Sequence, residues 1–284
     1  MGALRFELTR NVEEFASRAE RFLAARIERN VLATVLMNVK SGRYGEAAVF
    51  ACGFDDWGEL RAAALRTPPW PLVVTDVTSG DATTLVRAWL QEDPFPPGVT
   101  GEPPTARAIA AAWAAETGGR TRCRMREAMH VLDEVCDPPR PATGNLRPAD
   151  SSERSLLVGW MRAFAQEAGV LGGDQAEQLV EAQLEHDRLM VWENDGPVCV
   201  VSISPTVAGL TRIGPVYTPR EQRCHGYASS AVAATSRQAL AVGAERCALF
   251  TDLTNPTSNK IYADVGYRRL FDWEEHAFEG NEPR

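Results

Sequence analysis

Residues 217–232 read YTPREQRCHGYASSAV, and the reading of this stretch decides the fold. Just before it, Leu210–Val216 (LTRIGPV) carries the β-branched and apolar residues of a buried strand. Just after its start, Ala228–Val242 alternates apolar and polar residues at helical spacing. Between the two, Arg223 stands three places before Gly226, and the small residues Ala228 and Ser229 follow. A helix leaves its first backbone N–H groups without intrahelical partners, at the positive end of its dipole. A glycine at that turn lets an anion approach with no Cβ in the way. The stretch therefore predicts a strand, a tight loop and a helix, read either as an ordinary junction or as one whose first turn cradles a diphosphate, with Arg223, Cys224, His225, Gly226, Tyr227, Ala228 and Ser229 around it.

A second constellation follows at 251–270, TDLTNPTSNKIYADVGYRRL. Asn255 fits a helix N-cap and Pro256 the first helical position. Ser258 and Tyr262 are four apart and share one face of that helix. Tyr262 reads either as a core aromatic or as a phenol aimed at the end of the preceding strands.

Together the two segments resemble the GNAT superfamily of N-acetyltransferases. That family's coenzyme loop, Arg/Gln-x-x-Gly-x-Gly/Ala after a strand, is matched by Arg223, Gly226 and Ala228. Its pantetheine-pairing strand is matched by VYTP at 216–219, and its later Asn…Tyr…Gly-Tyr/Phe run by Asn255, Tyr262, Gly266 and Tyr267. Cys224-His225 departs from the glycine and basic residue found in many members. The resemblance spans about residues 145–278. It implies acetyl-coenzyme A as cosubstrate, held by Val216, Tyr217, Thr218, the loop 223–229, Asn255, Ser258 and Tyr262. It further implies direct attack of a small-molecule primary amine on the thioester. Tyr262 would be the acid for the departing thiolate and the Tyr217 N–H the oxyanion donor. The strand LTRIGPVYT lacks the glutamate that many members use as base. Asp252 stands near that place and equally suits a loop cap, and Glu193 and Glu274 are alternatives. Two other readings stay open: a different acyl donor (a longer acyl-coenzyme A, an acyl carrier protein or an aminoacyl-tRNA), and a non-catalytic acyl-coenzyme A-binding module.

The order of elements occurs twice. Residues 1–136 give strand, two helices, three strand-like runs (46–54, 59–66, 71–77), helix 82–91, an extended piece near Val99, helix 105–117 and strand 121–132. The proline-rich segment 137–144 reads as a linker. Residues 145–284 repeat the pattern, with an Asp195-Gly196 hairpin turn. The fold class expected is α/β, as two tandem GNAT-like domains, each a mixed, mostly antiparallel sheet flanked by helices with a splayed central strand pair. In the first half the loop position reads VTDVTSGDATTL (74–85), without the arginine, and Trp113 stands where the tyrosine would be. The first half is therefore expected to be a degenerate copy that shapes the acceptor site.

Bulk composition is consistent with this. The chain has 284 residues, 44% hydrophobic and 24% charged, with a net charge of −8. Acidity disfavours nucleic acid as partner and suits a cationic small molecule. No apolar run is long enough to span a bilayer, so a cytoplasmic location is expected, and the two fused halves leave both a monomer and a homodimer open. The six cysteines and four histidines form no CxxC, HxxxH or HExxH pattern, which argues against a metal.

Overall fold

The computed structural model describes residues 2–26, 29–42, 44, 47–170 and 173–280. Its elements run β1 (Arg5–Thr9), α1 (Val12–Ala24), α2 (Asn30–Lys40), β2 (Val49–Phe54), β3 (Leu60–Arg66), β4 (Leu72–Val74), α3 (Ser79–Glu92), β5 (Gly98–Gly101), α4 (Pro103–Thr117) and β6 (Arg120–Leu132). The series then repeats as β7 (Asn145–Pro148), α5 (Arg154–Ala168), α6 (Ala176–Leu184), β8 (Leu189–Glu193), β9 (Pro197–Ile203), β10 (Leu210–Tyr217), α7 (Tyr227–Ala241), β11 (Arg246–Asp252), α8 (Pro256–Val265) and β12 (Arg268–Glu279). Every element expected from the sequence is present within a few residues of its expected bounds. Glu46, the first residue of the expected second strand, lies outside the described residues.

The chain forms two compact units, Met1–Glu127 with Phe271–Arg284, and Ala128–Leu270. In the first, the strand order is β1-β2-β3-β4-β5-β12-β6. Neighbours there are antiparallel where β1 meets β2, β2 meets β3, β3 meets β4 and β5 meets β12, and parallel between β4 and β5. In the second, the order is β6-β11-β10-β9-β8-β7. There β10 runs parallel to β11, and β7, β8, β9 and β10 form an antiparallel run. The first unit buries Trp89 and Trp113 among the aliphatic residues of β2, β4, α3 and α4. The second buries Val232 and Ala231 of α7 against Cys199, Val201, Ile213 and Cys247 of its sheet.

The two parallel strand pairs differ at the ends that matter. In the first unit β4 and β5 pair through Leu72↔Val99 and Val73↔Thr100. A Cβ on Gly101 would lie 3.2 Å from the Val74 carbonyl, so the strands stay close to their ends. Beyond them the Val77 N–H donates to Thr105 Oγ1 at 3.3 Å. In the second unit β10 and β11 pair at Leu210↔Arg246, Thr211↔Cys247 and Arg212↔Ala248, and no later pair joins them among the described residues. From there β10 keeps only β9, across a register shift between Ile213 and Val216. Pro215 has no N–H to offer a neighbour, and Gly214 adopts φ +124°. The splayed pair is thus found in the second unit.

The helices that follow these strands differ as well. Thr78 caps α3, and the buried Asp81 carboxylate sits at the helix start, accepting from the Leu4 N–H at 2.8 Å, Thr78 Oγ1 at 2.6 Å and the Thr78 N–H at 3.3 Å. The chain's own anion occupies the place where an external one would go. Asp81→Ala should destabilise the first unit by about 1–3 kcal/mol, since it leaves buried donors unpaired. Urea unfolding followed by tryptophan fluorescence checks this, and an unchanged midpoint would contradict it.

Candidate active site

The opening between β10 and β11 and the start of α7 belong to the second unit. Gly226 is the N-cap of α7 with φ +81° and offers no side chain to the helix start. Cys224, two residues earlier, also has positive φ, +67°. Among the described residues, nothing accepts a hydrogen bond from the backbone N–H groups of Cys224, His225, Gly226, Tyr227, Ala228 or Ser229; the first ladder bond is Ser230 N–H to Gly226 O at 3.0 Å. Six consecutive donors around an αL turn and a helix start form a concavity that favours an anion.

Neighbouring segments fix this loop. A Cβ on Gly226 would lie 2.8 Å from the Arg140 carbonyl. The Ala142 N–H donates to Ser230 Oγ at 2.8 Å, so the segment expected to be a linker runs against the cradle. His225 stacks on Tyr227 with ring centroids 5.4 Å apart, and the Tyr227 hydroxyl accepts from Asn194 Nδ2 at 2.8 Å. The Arg223 guanidinium is engaged elsewhere, donating to the Thr218 carbonyl at 2.9 Å and to Glu167 at 2.8 Å. The donors described at the cradle itself are main-chain N–H groups.

Across the opening, Asn255 Oδ1 accepts from the Ser258 N–H at 3.0 Å and caps α8 with Pro256 in its first turn. This orients Tyr262 one turn on. Its ring meets Tyr267 edge-on at 6.1 Å, and Tyr267 shares a 2.7 Å bond with Ser236. The Tyr262 hydroxyl has no hydrogen-bond partner among the described residues. Burial, with the nearby Cys199 thiol, pushes its pKa up to about 12. Burial likewise pushes the Cys199 thiol up to about 12, with the Thr218 hydroxyl beside it. The Thr251 hydroxyl, near the end of β11, is buried and makes no hydrogen bond among the described residues, while that of Thr218, just past β10, has the Cys199 thiol as its neighbour. The unpaired hydroxyls, together with the main-chain donors, fit a ligand that brings a diphosphate and amides.

Of the sequence-derived residues, Val216, Tyr217 and Thr218 lie on the stretch of β10 that has left β11 and just past its end, residues 224–229 carry the unpaired N–H groups with Arg223 just before them, Asn255 caps α8, and Ser258 and Tyr262 lie on it. The Tyr217 side chain is buried, with its hydroxyl donating to Glu167 at 3.2 Å. Asp252 behaves as a cap: its carboxylate accepts from the Thr254 N–H and hydroxyl, both at 2.8 Å. Glu193 pairs with Arg147, and Glu274 lies in the first unit, held by Arg107 at 2.6 and 2.9 Å. Sequence reasoning missed Glu167, Asn194 and the 140–142 segment, whose only signal is proximity in the fold. It also missed that Cys123, Glu274 and His276 of the first unit bring their donor atoms within 4.8 Å of one another. There the Arg107 guanidinium, with help from His276, holds the Glu274 carboxyl down to about 2, and Arg126 lies at 3.6 Å, so two guanidinium groups already serve that carboxylate.

Comparison with known proteins agrees with this geometry. Residues 157–267 match the Acetyltransferase (GNAT) family. No curated protein matches the sequence. Among solved structures, a GCN5-related N-acetyltransferase from Sphaerobacter thermophilus is similar over 98% of this chain and 96% of its own, at 18% identity and a TM-score of 0.61. A tandem GNAT protein from the clavulanic acid biosynthesis pathway is similar over 99% of each chain, at 13% identity and a TM-score of 0.60. A GNAT-family acetyltransferase from Colwellia psychrerythraea covers 97% of this chain and 99% of its own, at 11% identity and a TM-score of 0.58. At these identities the likeness speaks for the fold. No helix among the described residues is long and apolar enough to cross a membrane.

Proposed function

We propose, from the match of residues 157–267 to the GNAT acetyltransferase family, that the second unit transfers an acetyl group from acetyl-coenzyme A to a primary amine of a small molecule. The observation that carries this reading is the run of six unpaired N–H groups at 224–229 beside an unzipped strand pair. The main-chain donors of the cradle hold the diphosphate. The free edge of Val216–Thr218 pairs with the pantetheine arm as an added strand would. When bound, the cosubstrate supplies an activated thioester carbonyl.

The residues divide the remaining work. The Tyr217 N–H donates to the oxygen that gains charge as the amine nitrogen bonds to the carbonyl carbon. As the carbon–sulfur bond breaks, the electron pair goes to sulfur and Tyr262 gives it the phenolic proton. The raised pKa keeps that proton in place throughout the neutral range. With Asp252 tied to Thr254, the amine's proton leaves through water. The first unit, its helix start filled by the Asp81 carboxylate and its Trp113 stacked on Phe278 at 4.3 Å, leaves the coenzyme to the second.

Two measurements test this. Calorimetry should give one coenzyme A bound per chain, and two would overturn the assignment of roles to the units. Thiol release from acetyl-coenzyme A should appear with at least one member of a primary-amine panel. Binding without release on any amine would leave the non-catalytic module as the reading.

A further inference from the structure

One carboxylate outside the cradle is placed to control it. Glu167 lies in the last turn of α5, with its side chain 28% exposed. One oxygen accepts from Arg223 Nη2 at 2.8 Å, and the other from the Tyr217 hydroxyl at 3.2 Å and Arg220 Nε at 3.4 Å. Arg223 also donates through Nε to the Thr218 carbonyl at 2.9 Å, with its guanidinium 5.8 Å from the centre of the Tyr217 ring. The last strand residue Tyr217, Arg220 at the start of the short turn Arg220–Gln222 and Arg223 just after it thus converge on a single acid, and Arg223 also holds the carbonyl of Thr218. That turn leads directly into the six unpaired N–H groups.

We propose that Glu167 is a positioning residue that presets the diphosphate-binding backbone by holding Arg223 and Tyr217 together. The inference rests on the function proposed above and deepens it by assigning control of coenzyme affinity to α5. The chemistry explains the choice of side chain. A free arginine beside the cradle would add attraction for any anion, whereas one fixed by a carboxylate becomes a planar, forked brace. The brace locks the turn before ligand arrives, so less ordering entropy is lost when the anion binds. The other charged group facing this network, Glu221, is a neighbour of the Tyr217 phenol, so the acid is set among two arginines and one further carboxylate. The Arg223 guanidinium holds the Glu167 carboxyl below its ordinary range, which keeps the brace charged at neutral pH.

The test is a double-mutant cycle of Glu167→Gln and Arg223→Met, with coenzyme A affinity read by calorimetry and KM and kcat read with acetyl-coenzyme A. Each single change should weaken coenzyme A binding and raise KM by about 3- to 10-fold with kcat nearly unchanged. The double variant should be no worse than either single one, because both remove the same brace. Glu167→Asp should recover part of the loss. Equal or tighter coenzyme A binding by Glu167→Gln than by wild type, additive losses in the double variant, or a fall in kcat at unchanged KM would overturn the proposal. If the wild-type chain bound no coenzyme A, the proposed function itself would fall, an outcome distinct from failure of the brace.

Discussion

Tyr262→Phe should lower kcat by about 10²- to 10⁴-fold while leaving the affinity for acetyl-coenzyme A within about twofold of wild type. The asymmetry follows from the surroundings of the side chain. The ring is part of the cluster that packs α7 and α8 on the sheet, and it meets Tyr267 edge-on, contacts that phenylalanine keeps. The hydroxyl bonds to no described residue, so removing it strands no donor or acceptor in the protein. What is lost is only the proton delivered to the leaving sulfur. The pH dependence provides a second readout. The acid form is the active one, and a pKa raised to about 12 moves its loss well to the alkaline side of an ordinary tyrosine. No alkaline fall in rate assignable to this group is expected below about pH 10. Steady-state kinetics with both proteins over that range checks both statements, and unchanged turnover in Tyr262→Phe would remove the tyrosine from the mechanism.

Gly226→Ala should raise the dissociation constant for coenzyme A at least about tenfold. At φ +81° an L-residue costs roughly 1–2 kcal/mol. The new methyl would also sit 2.8 Å from the Arg140 carbonyl, which is backbone and cannot swing aside like a side chain. The chain can relieve both strains only by turning the residue out of the left-handed region, which scatters the row of donors, or by pushing 140–142 off the Ser230 hydroxyl. Either route damages the cradle. Calorimetry with coenzyme A, alongside a thermal melt, separates loss of binding from loss of fold; tight binding by the variant would show that the diphosphate does not use this turn.

The strand–loop–helix around Gly226 was legible in the sequence because three local signals agree there: β-branched residues before, a glycine at the turn, and helical spacing after. Asn255 with Pro256 gave away the start of α8 in the same way. Glu167 was not legible. It acts through Arg223 from 56 residues away, and its own neighbourhood in α5 reads as an ordinary helix end. Asp252 shows a different limit, since an acid after a strand has the same appearance whether it takes a proton or accepts from Thr254. The alternation along Tyr267–Phe278 predicts a strand, yet period-two patterning says nothing about which sheet receives it. Nor could spacing reveal the trio of Cys123, Glu274 and His276, which β6 and β12 bring together from far apart in the chain.

The seat of β12 between β5 and β6 has a consequence for biogenesis. Nascent domains usually mature in the order they leave the ribosome. Here the amino-terminal sheet keeps an unfilled slot, flanked by two unsatisfied strand edges, until Phe271–Glu279 has been translated. The carboxy-terminal unit, whose own contacts end at Leu270, has no such wait. The half that is made first therefore depends for its last strand on residues translated after the other half, and a truncation before Phe271 would cripple it.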